Sequence, residues 1–328
     1  MSITVLKPGL LSSFQDLGRQ GHQHLGVPVG GAMDSRAHRL ANMLVGNTTD
    51  LATLEVTLTG PTLQFDSPAC IAITGALLEP MLNGEPIPNN RPLVIRKGDT
   101  LSFGQRRQGL RAYIAWHGGI RLEPVLGSCS TYLRGKLGGY QGRALQANDT
   151  LIPATDLSPV NLDSLAKALW SQKIYLPGTL GTHNRETIRA MRGAHTPLFT
   201  DESVHAFFSS RYRIGAQSER MGYRLQGPVL QQKDPAQLLS EATGFGTVQV
   251  PPDGSPIVLM ADRQTTGGYA KIAHVATVDL PAIAQGMPGD QISFTEISLE
   301  QAQALDQLRE EAFARMYEAL TSLRALFT

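Results

Sequence analysis

The sequence predicts a mainly β fold of two tandem β-barrels with short helices and an amphipathic C-terminal helix. Charged residues make up only 17% of the 328 residues, while 33 glycines and 20 prolines supply many turn positions. Short apolar segments alternate with turn dipeptides such as Asn83-Gly84 and Asp253-Gly254. An internal repeat also runs through the chain, which predicts two similar units.

The repeat matches segments of the first half with segments of the second half in the same order. The matching segments are 5–11 with 174–180, Gly60-Pro61 with Gly227-Pro228, Thr74-Gly75 with Thr243-Gly244, and 98–103 with 289–294. The two members of the last match are farther apart in the sequence than those of the other matches. The second copy therefore carries extra residues between 257 and 289. We therefore expect a first barrel unit over residues 1–160, a second over 161–297, and a helix over 298–328 packed on the barrels.

Short apolar segments, many of them β-branched, indicate the strands of both units: 54–58, 62–65, 69–74, 93–95, 238–243 and 247–250. Each unit also contains one short helix. Asp34 is a suitable N-cap for the first helix, which Gly46 ends, and the second begins near Asp201. A short linker helix is expected over residues 161–172.

The clearest helix pattern covers residues 298–327. Ser298 and Gln301 form a capping box at its start. An apolar stripe follows at helical spacing: Leu299, Ala302, Leu305, Leu308, Ala312, Phe313, Met316, Leu320 and Leu323. The stripe predicts a helix packed on a barrel, with a partner-binding helix as the alternative.

Composition argues against several functional classes. A net charge of +1 gives no electrostatic basis for binding nucleic acid or an anionic membrane. The sequence has no apolar run long enough for a membrane span and no signal-peptide pattern, so a cytoplasmic protein is expected. Only Cys70 and Cys129 are present, which excludes a disulfide framework and a four-cysteine zinc site. No metal site is predicted.

The main candidate site lies in the extra residues of the second unit. Residues 262–271 read Asp-Arg-Gln-Thr-Thr-Gly-Gly-Tyr-Ala-Lys, which is dense in hydrogen-bonding side chains. Its paired glycines allow a ligand to approach the backbone closely. We interpret the segment as an elaborated hairpin that the barrel does not need for closure and that binds a ligand or partner. A solvated hairpin tip is the alternative.

Three other segments carry candidate residues. The glycine-rich turn over 26–34 fits a substrate-contacting loop or a tight β-to-helix turn. Arg220 and Arg224 are predicted to share one face of a strand, where they could bind a carboxylate or phosphate. A salt-bridged surface strand is the alternative. Glu55 and Glu241 are interpreted as inward carboxylates of strands, with structural salt-bridged acids as the alternative.

Several ordered motifs span residues 3–294: 31–34 (Gly-Ala-Met-Asp), 220–225 (Arg-Met-Gly-Tyr-Arg-Leu), 249–254 (Gln-Val-Pro-Pro-Asp-Gly) and 264–269 (Gln-Thr-Thr-Gly-Gly-Tyr). In these motifs the chain resembles the KipA family, also called allophanate hydrolase subunit 2-like or biotin-dependent carboxyltransferase-like. The resemblance implies cyclophilin-like β-barrels. The predicted substrate-binding residues are Gly31, Met33, Gln249, Gln264, Thr265, Thr266, Gly267, Gly268 and Tyr269.

The resemblance implies one of three activities. In bacterial 5-oxoprolinase, such a chain is the C subunit beside a KipI-like B subunit (PxpB) and an A subunit (PxpA). That complex couples ATP hydrolysis to the opening of 5-oxo-L-proline to L-glutamate. The alternatives are carboxyl transfer from carboxybiotin to urea or a relative, and non-catalytic regulation through a KipI-like protein.

Absent motifs favour the 5-oxoprolinase hypothesis. The sequence has no biotinyl-lysine motif, no evident ATP-grasp-like stretch and no Gly-Ser-Ser amidase signature. We therefore expect ATP, with magnesium, to be shared with the complex, and no biotin on this chain. In that hypothesis Lys271 and Arg220 supply positive charge around a phosphoryl group. Asp262 or Glu55 acts as general base or magnesium ligand.

Overall fold

The computed structural model describes residues 1–180, 185–234 and 238–327. It confirms the mainly β fold with few short helices. The chain divides into two compact units. The first consists of Met1–Arg19, Gly30–Thr182 and Ala312–Thr328, and the second of Gln20–Val29 and His183–Glu311. The boundaries drawn from the repeat stay a prediction.

The first unit contains two antiparallel sheets. The six-stranded sheet runs in the order β11 (Thr150–Leu151), β1 (Ile3–Lys7), β4 (Thr62–Phe65), β9 (Thr100–Phe103), β6 (Pro80–Leu82) and β7 (Glu85–Pro86). The five-stranded sheet runs β2 (Leu11–Gln15), β3 (Thr53–Thr57), β10 (Gln108–Trp116), β5 (Ala69–Leu77) and β8 (Pro92–Ile95). Both sheets contribute to one buried apolar cluster, which includes Val5, Leu63, Leu54 and Ile114.

Capping residues begin the helices where the sequence predicts them. Helix α1 (Ser35–Leu44) starts at Asp34, whose Oδ1 accepts a hydrogen bond from the Ala37 N–H at 2.9 Å. Helix α2 (Leu162–Ser171) is capped in the same way by Asn161. Helix α3 (Asp201–Ser209) begins at Asp201, as predicted, and Thr200 is its N-cap.

The C-terminal segment forms α5 (Leu299–Ala319) and α6 (Thr321–Arg324). The capping box is confirmed, because the Ser298 N–H donates to Gln301 Oε1 at 2.8 Å and the Gln301 N–H donates to Ser298 Oγ at 3.2 Å. The predicted stripe is buried continuously only in its second half. Leu299 and Leu308 are about half exposed, whereas five residues pack with α1 and α2: Ala312, Phe313, Met316, Leu320 and Leu323.

The second unit contains a closed barrel. Its strands run in the order β12 (Thr187–Arg192), β19 (Ala270–Val275), β16 (Thr247–Val250), β17 (Ile257–Leu259), β14 (Gly222–Gln226), β13 (Arg211–Ile214) and β20 (Gln291–Glu296). A parallel pairing between β12 and β20 closes the ring, so it leaves no exposed sheet edge. The short helix α4 (Leu280–Gln285) precedes β20.

The interpretation of residues 262–271 as a hairpin that the barrel does not need is wrong for the last two residues. The segment first forms β18 (Thr266–Gly267), which pairs with β15 (Glu241–Ala242). Its last two residues then begin β19, which lies between β12 and β16 in the ring. The barrel therefore includes Ala270 and Lys271, whereas β18 lies outside the ring. A repeat aligned on glycines and prolines does not reveal such long-range strand pairing.

Candidate functional site

Four polar side chains share one face of the β16–β19 strand pair. Thr247 and Gln249 alternate along β16 with the buried Val248 and Val250, so they lie on the face opposite to those valines. On β19, the Cα partner of Thr247 is His274 and that of Gln249 is Lys271. We call the surface formed by Thr247, Gln249, Lys271 and His274 the polar face.

A two-stranded ribbon covers the polar face. It consists of β15 and β18 with the flanking residues 243 and 264–265, and we call it the covering ribbon. Gln264 Nε2 donates to Gln249 Oε1 at 3.2 Å. Lys271 Nζ donates to Glu241 Oε2 and to the Ala242 carbonyl oxygen, both at 2.9 Å. The structure thus brings together Gln249, Gln264, Gly267 and Lys271, four residues that the sequence predicts for the site.

Gln249 is the most deeply buried of these residues, with 1% of its surface exposed. Its amide nitrogen Nε2 is buried and has no hydrogen-bond partner among the residues that the structure describes. The backbone of Gly267 passes directly over this amide, because a Cβ there would lie 2.7 Å from Nε2. A buried donor without a partner is unfavourable, which makes this amide a candidate ligand contact.

Lys271 and Glu241 form an ion pair at the border of the polar face. His195 joins them, since its Nδ1 accepts from the Lys271 backbone N–H at 3.2 Å and its Nε2 lies 3.6 Å from Glu241 Oε2. The hydrogen bond from Lys271 lowers the pKa of Glu241, so this carboxylate is ionised at neutral pH. The expectation of an inward Glu241 is wrong, because half of its side chain is exposed.

The sequence analysis did not single out Arg263 and His274. Arg263 is 9% exposed, and its guanidinium reaches the carbonyl oxygens of Met260, Ala261 and Thr243 only at 3.4–3.5 Å. Burial lowers the pKa of Arg263, and the charge of Asp262 acts in the opposite direction. Burial, together with the charge of Arg263, lowers the pKa of His274, so this imidazole is neutral at pH 7.

Arg220 and Asp262 form a buried ion pair. Asp262 Oδ2 accepts from Arg220 Nε at 2.8 Å, and Oδ1 accepts from Nη2 at 2.9 Å. The Asp262 backbone N–H also donates to the Arg220 carbonyl oxygen at 2.9 Å. The shared face predicted for Arg220 and Arg224 is absent, because Arg220 precedes β14 and is buried while Arg224 is exposed. The catalytic roles of Arg220 and Asp262 stay predictions.

Glu55 lies in the first unit and is buried inside it, as predicted. Its Oε2 accepts hydrogen bonds from the Met33 N–H at 2.9 Å and from the Tyr113 hydroxyl at 2.7 Å, and Arg111 Nε lies 3.7 Å from Oε1. Burial and the charge of Glu55 raise the pKa of Tyr113, so the phenol stays protonated and donates. The role of Glu55 as base stays a prediction.

The turn before α1 is tightly packed. Gly31 adopts a φ of +88°, and a Cβ there would lie 3.0 Å from the Gly18 nitrogen. The Met33 side chain is fully buried. This geometry fits the tight β-to-helix turn that the sequence analysis gave as an alternative, and the substrate contacts of Gly31 and Met33 stay predictions.

The remaining predicted residues lie in β18 or next to it along the chain. Thr266 and Tyr269 are exposed, and Thr265 accepts a backbone hydrogen bond from Thr243 at 3.0 Å. A Cβ on Gly268 would lie 3.0 Å from the Leu238 carbonyl oxygen. Substrate contacts by these residues stay predictions.

Metal, thiol and membrane features add little to the candidate site. Within residues 1–180, 185–234 and 238–327, no three His, Cys, Asp or Glu side chains gather in a way that could hold a metal ion. Burial and the charge of Asp16 raise the pKa of Cys129, which disfavours a nucleophilic thiolate. The helices in the described part of the chain are too short or too polar to cross a membrane.

Comparison with known proteins places the chain among carboxyltransferase-like proteins. Residues 25–296 match the carboxyltransferase domain, subdomain A and B. The C subunit of 5-oxoprolinase from Haemophilus influenzae is 39% identical over 94% of this chain and 95% of its own length. The C subunit of 5-oxoprolinase from Escherichia coli is 36% identical over 96% of this chain and 97% of its own length.

A solved structure extends the comparison to the fold. The urea carboxylase of Kluyveromyces lactis superimposes with a TM-score of 0.86 at 32% identity over 96% of this chain. This chain spans 29% of that much longer protein.

Proposed function

Because the chain belongs to the carboxyltransferase domain family of subdomains A and B, we propose that it is the C subunit of a 5-oxoprolinase, a hydrolase complex. The observation that carries the proposal is the end-to-end similarity to two proteins that are named as C subunits of 5-oxoprolinase. The similarity runs through both compact units, so it supports a shared role of the whole chain.

The proposed reaction is the ATP-dependent opening of 5-oxo-L-proline. A lactam carbonyl is a poor electrophile, because the nitrogen lone pair is delocalised into it. In the proposed sequence the lactam oxygen attacks the γ-phosphorus of ATP and ADP leaves. Water then adds to the carbonyl carbon, and the ring C–N bond breaks as the nitrogen takes a proton. A second water releases phosphate from the resulting acyl phosphate and leaves L-glutamate.

The polar face supplies groups that suit the negative charge of such intermediates. Lys271 offers an ammonium group, and Gln249 and Gln264 offer amide donors. In this proposal Lys271 stabilises charge that develops on the substrate, and the two amides hold its polar atoms. The covering ribbon contacts Lys271 and Gln249, and Gln249 is 1% exposed beneath it.

Magnesium and most contacts to ATP are assigned by this proposal to the other subunits. The two candidate magnesium ligands of this chain are both engaged. Arg220 donates to both oxygens of Asp262, and Met33 and Tyr113 donate to Glu55. We therefore propose that the chain works in a complex with a KipI-like B subunit and an A subunit, which complete the site.

The test is reconstitution of the complex from purified A, B and C subunits. ADP and L-glutamate are measured with and without 5-oxo-L-proline. We expect both products to form in equal amounts only when all three subunits and 5-oxo-L-proline are present. ATP turnover that ignores 5-oxo-L-proline contradicts the proposal.

Carboxyl transfer is the second candidate, because the fold matches that of a urea carboxylase. It predicts activity that requires a biotinylated carrier protein and is abolished by avidin. The 5-oxoprolinase proposal predicts turnover that avidin leaves unchanged.

A further inference from the structure

Arg263 is a buried cation whose contacts among the described residues are all long: three backbone carbonyl oxygens and the Phe245 ring, whose centre lies 5.7 Å from the guanidinium carbon. No Asp or Glu oxygen in the described ranges forms an ion pair with its guanidinium. Its acceptors are backbone carbonyl oxygens at 3.4–3.5 Å, near the limit of a hydrogen bond. Burying a charge without close partners is unfavourable, so this position favours an anion from outside the chain.

The second, independent observation concerns the side-chain amide of Gln249. One end of its amide bonds to Gln264, whereas Nε2, although buried, has no acceptor among the described residues. A carbonyl oxygen placed against Nε2 would satisfy this donor. Arg263 can thus bind one anion, and Gln249 Nε2 can donate to one carbonyl oxygen.

Arg263 and Gln249 are connected through Gln264. Arg263 directly precedes Gln264 in the chain and reaches the Thr243 carbonyl oxygen of the covering ribbon at 3.5 Å, and Gln264 Nε2 donates to Gln249 Oε1 at 3.2 Å. A small ring that carries a carboxylate and an amide carbonyl offers one acceptor group to each of these two residues, Arg263 and Gln249.

We propose that Arg263 binds the carboxylate of the substrate and Gln249 its ring amide, so that the polar face selects small lactam acids. This inference rests on the proposed function and names the residues that recognise 5-oxo-L-proline. The substrate enters beneath the covering ribbon, whose two strands share only two residue pairs, Glu241 with Gly267 and Ala242 with Thr266.

The experiment uses the reconstituted complex and three probes. 5-Oxo-L-proline carries both recognised groups, 2-pyrrolidinone carries only the lactam, and cyclopentanecarboxylate carries only the carboxylate. The KM of the first and the inhibition constants of the other two are measured. We expect Arg263→Gln to raise the KM and the constant for cyclopentanecarboxylate about 10- to 100-fold and to leave that for 2-pyrrolidinone unchanged.

Gln249→Met should give the reverse pattern for the two inhibitors. It should raise the inhibition constant of 2-pyrrolidinone and leave that of cyclopentanecarboxylate unchanged. Arg211→Gln, which removes an exposed arginine of the same unit, is the matched control and should change none of the constants. Arg263→Lys keeps the charge and should raise the KM less than Arg263→Gln, which provides a second variant if the glutamine variant is poorly folded.

The outcomes separate the two proposals. Equal effects of Arg263→Gln on both inhibitors, or unchanged constants in a wild-type-active complex, overturn the recognition proposal alone. A wild-type complex that does not turn over 5-oxo-L-proline overturns the proposed function and this inference with it. Opposite inhibitor patterns in the two variants support the inference.

Discussion

Replacing Asp262 by asparagine distinguishes a structural from a catalytic role of the buried Arg220–Asp262 pair. Both side chains are about 95% buried, and two hydrogen bonds of 2.8 and 2.9 Å join them. Asp262→Asn keeps the size of the side chain but removes the carboxylate charge that faces the guanidinium. We therefore expect Asp262→Asn to lower the stability of the protein more than its activity.

The size of the loss follows from the burial of the pair. Removing one partner of a buried ion pair typically costs about 3–5 kcal/mol, because the other charge stays buried without its counter-charge. At about 2–4 °C per kcal/mol, that corresponds to a decrease in Tm of about 6–20 °C. An exposed ion pair would cost less than about 1 kcal/mol.

The assay combines thermal unfolding with turnover of the reconstituted complex well below the Tm. Asp50→Asn is the matched control, because it makes the same chemical change at an exposed position. The double variant Arg220→Met with Asp262→Leu removes both charges and should recover part of the stability that Asp262→Asn loses. We expect folded Asp262→Asn to keep most of its turnover.

An opposite result would refute this reasoning. If Asp262→Asn melts within about 2 °C of the wild type, the pair contributes far less than buried ion pairs do. Loss of turnover in such a stable variant would assign Asp262 the catalytic role that the sequence predicts. The same comparison with Arg220→Met tests the other partner.

Three further predictions concern single side chains. Burial lowers the pKa of His38 to about 4, below its unfolded value of 6.5, so the unfolded state takes up a proton first as the pH falls. The stability linked to His38 is complete above pH 6.5, and about 2–3 kcal/mol of it should be lost by pH 4.5, measured by urea unfolding. Gly267→Ala should lower kcat/KM at least several-fold, because its Cβ would displace the Gln249 amide at 2.7 Å. Lys271→Ala should abolish most turnover but change the Tm little, since its partner Glu241 is half exposed.

Each of these predictions has a control and a contradicting result. His38→Asn should flatten the pH dependence between pH 6.5 and 4.5, and an unchanged slope would show that other groups cause it. Gly178→Ala adds a Cβ into open space and should leave kcat/KM unaltered. Lys233→Ala removes an exposed lysine and should not affect turnover. A large loss of stability in Lys271→Ala with normal turnover would make that residue structural.

Local signals in the sequence predicted the starts of the helices well. Asp34, Asn161 and the Ser298–Gln301 capping box each satisfy backbone N–H groups within three residues, so the pattern and the interaction are both local. Strands 62–65 and 247–250 were also predicted with the correct bounds, because their apolar runs are short and follow or precede turn residues.

Strand pairing between residues far apart in the sequence was not predicted. Gln249 meets Lys271 across the β16–β19 ladder, and Ile188 pairs with Phe294 to close the barrel. Neither contact leaves a periodic pattern in the sequence, so residues 262–271 resembled a dispensable hairpin. The exposure of Leu299 and Leu308 was not predicted for a similar reason. Helical spacing shows which residues share a face, but not whether another element covers that face.

The residues of the candidate site, too, could be predicted only in part from the sequence. The sequence predicted Gln249, Gln264 and Lys271 through motifs and residue type, but it gave no sign that the Arg263 guanidinium is buried with only long contacts. That property depends on the path of the covering ribbon, which places a charged residue next to Gln264 against the barrel instead of in solvent. An exposed polar loop and a partly buried polar ribbon can therefore have the same local sequence, and the strand pairing of Glu241 with Gly267 shows that this segment is the ribbon. If the Arg263 and Gln249 variants show the opposite inhibitor patterns, the chemistry of this face follows from that pairing.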